Sequence, residues 1–220
     1  MRRLDLAVAV LVVGLSTWAV VGQLTDGVPT GGPPDRAPAL ALGEAVDPDV
    51  VLRDLAGTRR RLGDFLGAKA TVLYAWSTTC PCIPYCEDEL KVLVGRYPGD
   101  AGVSWVGVAG EPTDTPEGVA RAMRELGASY PMLLDPSHRV CGPVGFDRAA
   151  MVAVLDADGH LRFRGNLTDA LKDPVHHYLA DALAAVVAGR RPERPETPDA
   201  YGCEFSAPVA CEDEETAARP

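Results

Sequence analysis

The sequence predicts an α/β domain with a central mixed β-sheet flanked by helices on both faces, and three observations predict it. Apolar runs at 70–76 and 103–108 lack period-two alternation, as strands covered on both faces do. Stretches of helical periodicity alternate with such runs along residues 46–189. Two late apolar segments flank Asp158-Gly159, a dipeptide that favours a tight hairpin turn.

In chain order, Val50-Val51-Leu52 and Arg53 to Leu62, with a turn at Ala56-Gly57, predict an entrance hairpin. Ala70 to Trp76 is β-branched and aromatic, a buried strand that ends at a cysteine cluster. A helix is expected from Pro84 to Val94, with Leu90, Leu93 and Val94 apolar and Glu87, Asp88 and Glu89 placed early, where the helix dipole favours acids. The strand Val103–Val108 and a helix from about Thr115 to Leu126 follow, the latter opening on Pro116 and Glu117. Pro131 to Leu134 makes a third strand. After it come the hairpin strands 151–155 and 161–164 and a last helix from about Pro174 to Ala188.

Outside the domain, an uncharged stretch from Leu6 to Thr25 follows Arg2, Arg3 and Asp5. As a helix it would span roughly 30 Å, enough to cross a bilayer core. An N-terminal transmembrane helix is therefore expected within residues 1–25, the arginines holding its start in the cytoplasm and the remaining chain outside the cell membrane. A cleaved signal peptide, leaving a secreted or periplasmic protein, is the alternative; the stretch exceeds the usual h-region of about 7–15 residues and lacks an Ala-x-Ala site. Residues 26–45, rich in proline and glycine, read as a linker, 46–189 as the domain, and 190–220 as a proline-rich, acidic tail that contains two cysteines.

The 220 residues carry a net charge of −10, which disfavours a nucleic acid as partner. The one dense basic run, Arg59-Arg60-Arg61, reads as a solvated strand edge. The six cysteines stand at 80, 82, 86, 141, 203 and 211, three of them within seven positions. Such crowding points to redox or metal chemistry, because thiolates exchange or ligate only at close range. Cys80 lies where a buried strand gives way to a helix, so unpaired N–H groups there favour a nucleophilic thiolate. Cys82 takes that role if the helix begins at Pro84 instead of Pro81. Cys86, four residues after Cys82, shares a helix face with it, and their Cα atoms would sit about 6 Å apart, within reach of a strained disulfide. Cys141 opens a Cys-Gly-Pro turn and is a candidate resolving thiol. Tyr201-Gly202-Cys203-Glu204-Phe205 sets two aromatics around a cysteine, as a docked segment would, making Cys203 the stronger candidate and Cys211 a weaker one.

The stretches Leu52-Arg53-Asp54-Leu55-Ala56-Gly57 and Leu62-Gly63-Asp64-Phe65-Leu66-Gly67, then Trp76-Ser77-Thr78-Thr79-Cys80, and later Val154 to Gly165, resemble the thioredoxin-like redoxin superfamily. That group includes the alkyl hydroperoxide reductase/thiol-specific antioxidant proteins and exported thiol-disulfide reductases. The resemblance spans residues 46–189 and implies a thioredoxin-like fold. It also implies an oxidoreductase that works on protein thiols and disulfides, or on small peroxides, through cysteine alone and without a cofactor. Ile83 stands where a Cys-x-x-Cys motif would put its second cysteine. Leu73 and Ala75 replace the proline of the peroxiredoxin pattern, and Arg148-Ala149-Ala150-Met151 lacks the proline the family often places before the hairpin strand. A second resemblance runs through Cys82-Ile83-Pro84-Tyr85-Cys86-Glu87, which is similar to the Cys-x-x-x-Cys helix start of Sco-type copper chaperones. That reading implies copper, held by Cys82, Cys86 and a histidine for which His138 is the nearest candidate; His160, His176 and His177 read as exposed.

Overall fold

The computed structural model describes residues 38–198 and 201–210. The expected membrane anchor at 1–25 and Cys211 lie outside them; among the described residues no helix is long and apolar enough to cross a membrane.

Seven strands form one sheet in the order β2-β1-β5-β4-β3-β6-β7. They are β1 (Val51–Asp54), β2 (Arg59–Arg61), β3 (Ala70–Trp76), β4 (Val103–Ala109), β5 (Met132–Leu134), β6 (Met151–Asp156) and β7 (Leu161–Asn166). The entrance hairpin, the buried strands and the closing hairpin thus form where the sequence predicts them. β3, β4 and β5 run parallel, whereas β1, β2, β6 and β7 join antiparallel, so the sheet is mixed as expected.

Among the described residues four helices accompany the sheet: α1 (Ile83–Arg96), α2 (Pro116–Leu126), α3 (Cys141–Val144) and α4 (Tyr178–Val187). Helix lies on both faces, but unequally. The two crossovers, β3-α1-β4 and β4-α2-β5, advance in the same direction across the sheet, and right-handed connection places both helices on one face. There α1, α2 and α4 pack over Val72, Tyr74 and Trp76. The opposite face, carrying Leu73, Ala75, Val106 and Val108, is covered by the single turn of α3, a 3-10 turn at Leu62–Phe65 and Val46. With helices on one side and loops on the other, β3 is buried along its whole length.

Three local results depart from the expected elements. The last helix starts at Tyr178 and not Pro174, because the Asp169 carboxylate accepts the N–H groups of Val175 and His176 (3.0 and 3.1 Å) and closes a loop in place of a helical turn. The Cys141 turn is helical, its free N–H groups drawn together by buried Asp135, which accepts from Arg139, Val140 and Cys141 at 2.7–2.9 Å. Residues 40–45, assigned to the linker from composition, pair with the domain: Leu40 N–H donates to Pro143 and Gly43 N–H to Leu161.

Leu73 is fully buried in the middle of β3. Leu73→Ala leaves a cavity between sheet and loop layer, with an expected loss of about 2–5 kcal/mol of stability, measurable as a shift in the urea midpoint.

Candidate active site

β3 ends at Trp76 and the chain crosses the sheet rim through Ser77-Thr78-Thr79-Cys80-Pro81-Cys82 before α1 begins. Asp114, from the loop after β4, clamps this crossing: its carboxylate accepts the Thr78 N–H (3.1 and 3.2 Å) and the Thr78 hydroxyl. The partners are 36 residues apart, so nothing local in the sequence marks Asp114. Cys82 is the N-cap of α1, and Pro84 occupies the first turn, where its missing N–H leaves no bond unmade. Of the two helix starts open from sequence, the fold therefore takes the later one, with Cys80 two residues ahead of the cap.

Four sulfurs gather at this rim as unlinked thiols, those of Cys80, Cys82, Cys86 and Cys203. Cys80 is the centre, only 3% exposed, and its sulfur acts on the thiols of both Cys82 and Cys203, raising each. Interaction with Cys80 is the main reason that the Cys203 thiol is pushed up to about 11; desolvation and the nearby Cys82 sulfur add to it. The Cys82 thiol is raised chiefly by desolvation and then by Cys80, against which the backbone amide of Gly202 pulls it down. Cys86, one turn into α1, is pushed up to about 12, first by burial, although the hydroxyls of Tyr74 and Tyr201 face its sulfur and pull the other way. The Tyr74 hydroxyl has no partner at hydrogen-bonding geometry, so its approach to Cys86 is electrostatic. Cys82 and Cys86 thus share one end of α1 as expected, but their sulfurs turn to different neighbours.

The tail delivers the fourth thiol. Tyr201–Phe205 docks on the segment that leads into β6, with the Ala149 N–H donating to the Cys203 carbonyl and the Phe205 N–H to the Asp147 carbonyl, each at 2.9 Å. Arg148 and Glu204 form the antiparallel bridge between them. The two aromatics read from sequence as docking groups behave as such. The Tyr201 hydroxyl accepts the Thr168 N–H at 3.1 Å and lies 3.0 Å from the Thr168 hydroxyl. Phe205 packs on the His138 ring at a centroid distance of 5.6 Å. Gly202 makes the approach possible, for its φ is +119° and a Cβ there would lie inside the Ala149 carbonyl oxygen. Where a proline was missing from the sequence, Ala150 turns the chain with a φ of +67°, and no peptide bond among the described residues is cis. A left-handed alanine beside a thiol cluster is strain held by the surrounding structure, here including the Ala150 N–H bond to Ala75 at 2.8 Å.

Cys141 does not join the cluster. It is fully buried in the layer on the opposite sheet face, next to Gly110 and Phe205. The proposed copper ligands do not converge either. His138 is buried, with Nε2 2.7 Å from the Gly110 carbonyl, away from Cys82 and Cys86. Among the described residues the one cluster of three ligand groups within 4.8 Å is Asp156, Asp158 and His160 in the β6–β7 turn, where Arg162 Nε already donates to Asp156 at 2.7 Å.

Sequence reasoning placed Glu87 among the acids that the dipole favours in the early turns of the helix; it is fully buried. Its position explains this, because 83, 86, 87, 90 and 93 form the inward stripe of α1. Its Oε1 accepts from Trp76 Nε1 at 3.2 Å and from the Tyr130 hydroxyl, while Oε2 has no partner. Burial raises its pKa, against the opposing pull of Tyr130 and Trp76.

A thioredoxin-like sheet whose central parallel strand ends in a thiol cluster defines the redoxin class of thiol-dependent oxidoreductases. The AhpC/TSA family model matches residues 43–164, and the chain belongs to that family. It is 31% identical to the thiol-disulfide oxidoreductase ResA of Geobacillus thermodenitrificans over 127 residues, 56% of this chain and 68% of that protein. With ResA of Geobacillus kaustophilus the identity is 30% over 146 residues, 64% of this chain and 78% of the relative. Among solved structures, an uncharacterized conserved protein from Geobacillus kaustophilus aligns with a TM-score of 0.68 at 28% identity, over 77% of this chain and 94% of the other. A hypothetical protein from Sinorhizobium meliloti 1021 aligns with a TM-score of 0.67 at 25% identity, over 77% and 97%.

Because the folded-state pKa of Glu87 is raised, the folded chain holds that proton more tightly than the unfolded chain does. The contribution is most favourable at pH below the unfolded value and is lost as pH rises through the folded one. Relative to Glu87→Gln, the wild-type chain is therefore expected to gain stability between pH 8 and pH 4, a trend that urea titrations at several pH values would reveal.

Proposed function

We propose that this chain is an exported thiol–disulfide oxidoreductase, tethered to the outer side of the cytoplasmic membrane by residues 6–25, with Cys80 and Cys203 as its working pair. The observation that carries this reading is the docked tail, which brings the Cys203 thiol beside Cys80 in a chain whose Ile83 excludes the usual Cys-x-x-Cys partner. Cys80, at the end of the buried strand and beside the thiol that the docked tail brings in, is assigned nucleophilic attack, and Cys203 resolution. Cys82, at the helix cap and within reach of Cys80, is the second exchange-competent thiol; Cys86, pushed up to about 12 and buried, is a supporting one. The substrates are protein thiols and disulfides, the chemistry borne by the name of the ResA relatives.

Reduction of a protein disulfide such as insulin, driven by dithiothreitol, tests the assignment. Cys80→Ser is expected to slow it by at least about a hundredfold, a barrier increase of roughly 2.7 kcal/mol. Cys203→Ser should abolish the intramolecular disulfide, seen as a mobility shift after maleimide labelling, whereas Cys141→Ser should leave rate and disulfide unchanged. A Cys80→Ser chain with the wild-type rate would overturn the reading. For the tether, the full chain is expected to stay in the membrane pellet after alkaline carbonate extraction, and a chain lacking residues 1–25 to be released.

A further inference from the structure

Exchange chemistry through Cys80 meets an obstacle in the fold, because that sulfur is 3% exposed and belongs to the packed layer under α1. Thiol–disulfide exchange is an in-line displacement: the incoming sulfur approaches along the S–S axis, from the side opposite the leaving sulfur. For a bond between Cys80 and Cys203, attack on Cys80 would come from the packed side of the sheet rim. Attack on Cys203 comes from the tail side, where that residue is half-buried and its neighbour Glu204 is open, its side chain 80% exposed.

Resting on the Cys80–Cys203 pair assigned above, we propose that Cys203 is the sulfur that meets the redox partner, and that Cys80 is the inner sulfur that leaves. The partner is a protein or peptide dithiol able to reach the docked tail. In the first step the partner thiolate attacks Cys203 Sγ. A partner–Cys203 disulfide forms, the Cys203–Cys80 bond breaks, and its electron pair departs on Cys80, which takes up a proton. In the second step the partner's other thiolate attacks the partner sulfur of that mixed disulfide and releases Cys203, which is protonated in turn. The partner loses two electrons and two protons and becomes a disulfide; the chain gains them as two thiols. The other half of the cycle is the one assigned above: Cys80 attacks a substrate disulfide, and Cys203 resolves that mixed disulfide and restores the Cys80–Cys203 bond. The chemistry of the two sulfurs agrees with the geometry, since the Cys203 thiol, pushed up to about 11, is a poor leaving group. The tail is thereby a contact element: Gly202 and the two backbone bonds at 147 and 149 hold the half-buried Cys203 against the domain.

The test uses the full wild-type chain, oxidised with diamide and checked by peptide mapping for the Cys80–Cys203 bond. It is mixed with an excess of a synthetic peptide bearing one cysteine, quenched with acid within seconds, alkylated with N-ethylmaleimide and mapped again. The peptide is expected on Cys203, with Cys80 alkylated, in at least about tenfold excess over the reverse arrangement, the ratio that 1.4 kcal/mol of preference gives. Adducts on Cys80, or shared equally, would overturn the order of attack while leaving the pair intact. An oxidised chain without the Cys80–Cys203 bond overturns the pair and this proposal together. A Cys82→Ser chain treated alike removes the adjacent thiol that could pass the adduct on; the same preference there supports Cys203 as the contact sulfur, and its reversal counts against it.

Discussion

Two backbone hydrogen bonds, from Ala149 to the Cys203 carbonyl and from Phe205 to the Asp147 carbonyl, fix the arrangement on which the site depends. Each is an ordinary bond worth about 1 kcal/mol net, but between them they set the register of the tail against the segment entering β6. That register brings Cys203 to the neighbourhood of Cys80, Gly202 to that of Cys82 and Tyr201 to that of Cys86, and each neighbour shifts the thiol it meets or is shifted by it. A shift of one residue would turn Cys203 to the other side of the strand and replace it with Gly202 or Glu204. The aromatic contacts guard against such a shift, because Tyr201 is tied to Thr168 and Phe205 to the His138 ring.

The site is supported from below by the strand that leads to it. β3 is buried on both faces and ends at a rim where Asp114 holds Thr78, so the loop bearing Cys80 is anchored on each side. α1 carries the remaining thiols and, on its inward stripe, Glu87 with its unpartnered Oε2. A buried carboxyl with one satisfied oxygen is an expense in stability that apolar packing alone would avoid. Its hydrogen bonds to Trp76 and Tyr130 tie the start of α1 to the ends of β3 and to the chain before β5, which fixes the helix that positions Cys82 and Cys86.

The thiols differ in environment, and the differences follow from position. Cys86 is held protonated mainly by burial, Cys203 mainly by Cys80, and Cys82 by desolvation tempered by a tail amide. A single cluster therefore contains two buried thiols, Cys80 and Cys86, and two rim thiols at partly open positions. Cys141 has the same side chain and none of this, because α3 lies across the sheet.

Much of the fold could be read from local pattern. Strand after strand formed where apolar runs and the Asp158-Gly159 turn predicted, since period and turn chemistry are properties of a few neighbouring residues. The docking of Tyr201–Phe205 was legible too, because aromatics around a cysteine in a polar tail have no reason to stay in water. The sequence alone determined the thiol cluster at a strand end, the absence of a Cys-x-x-Cys pair and the mixed α/β sheet. The tertiary structure decided which thiol the tail brings beside Cys80, that Cys141 and His138 stand apart from it, that Asp114 clamps the loop and that Glu87 points inward. Each of these depends on residues far apart in the chain meeting across the sheet, and distance in space is fixed by packing, which no local pattern of side chains records.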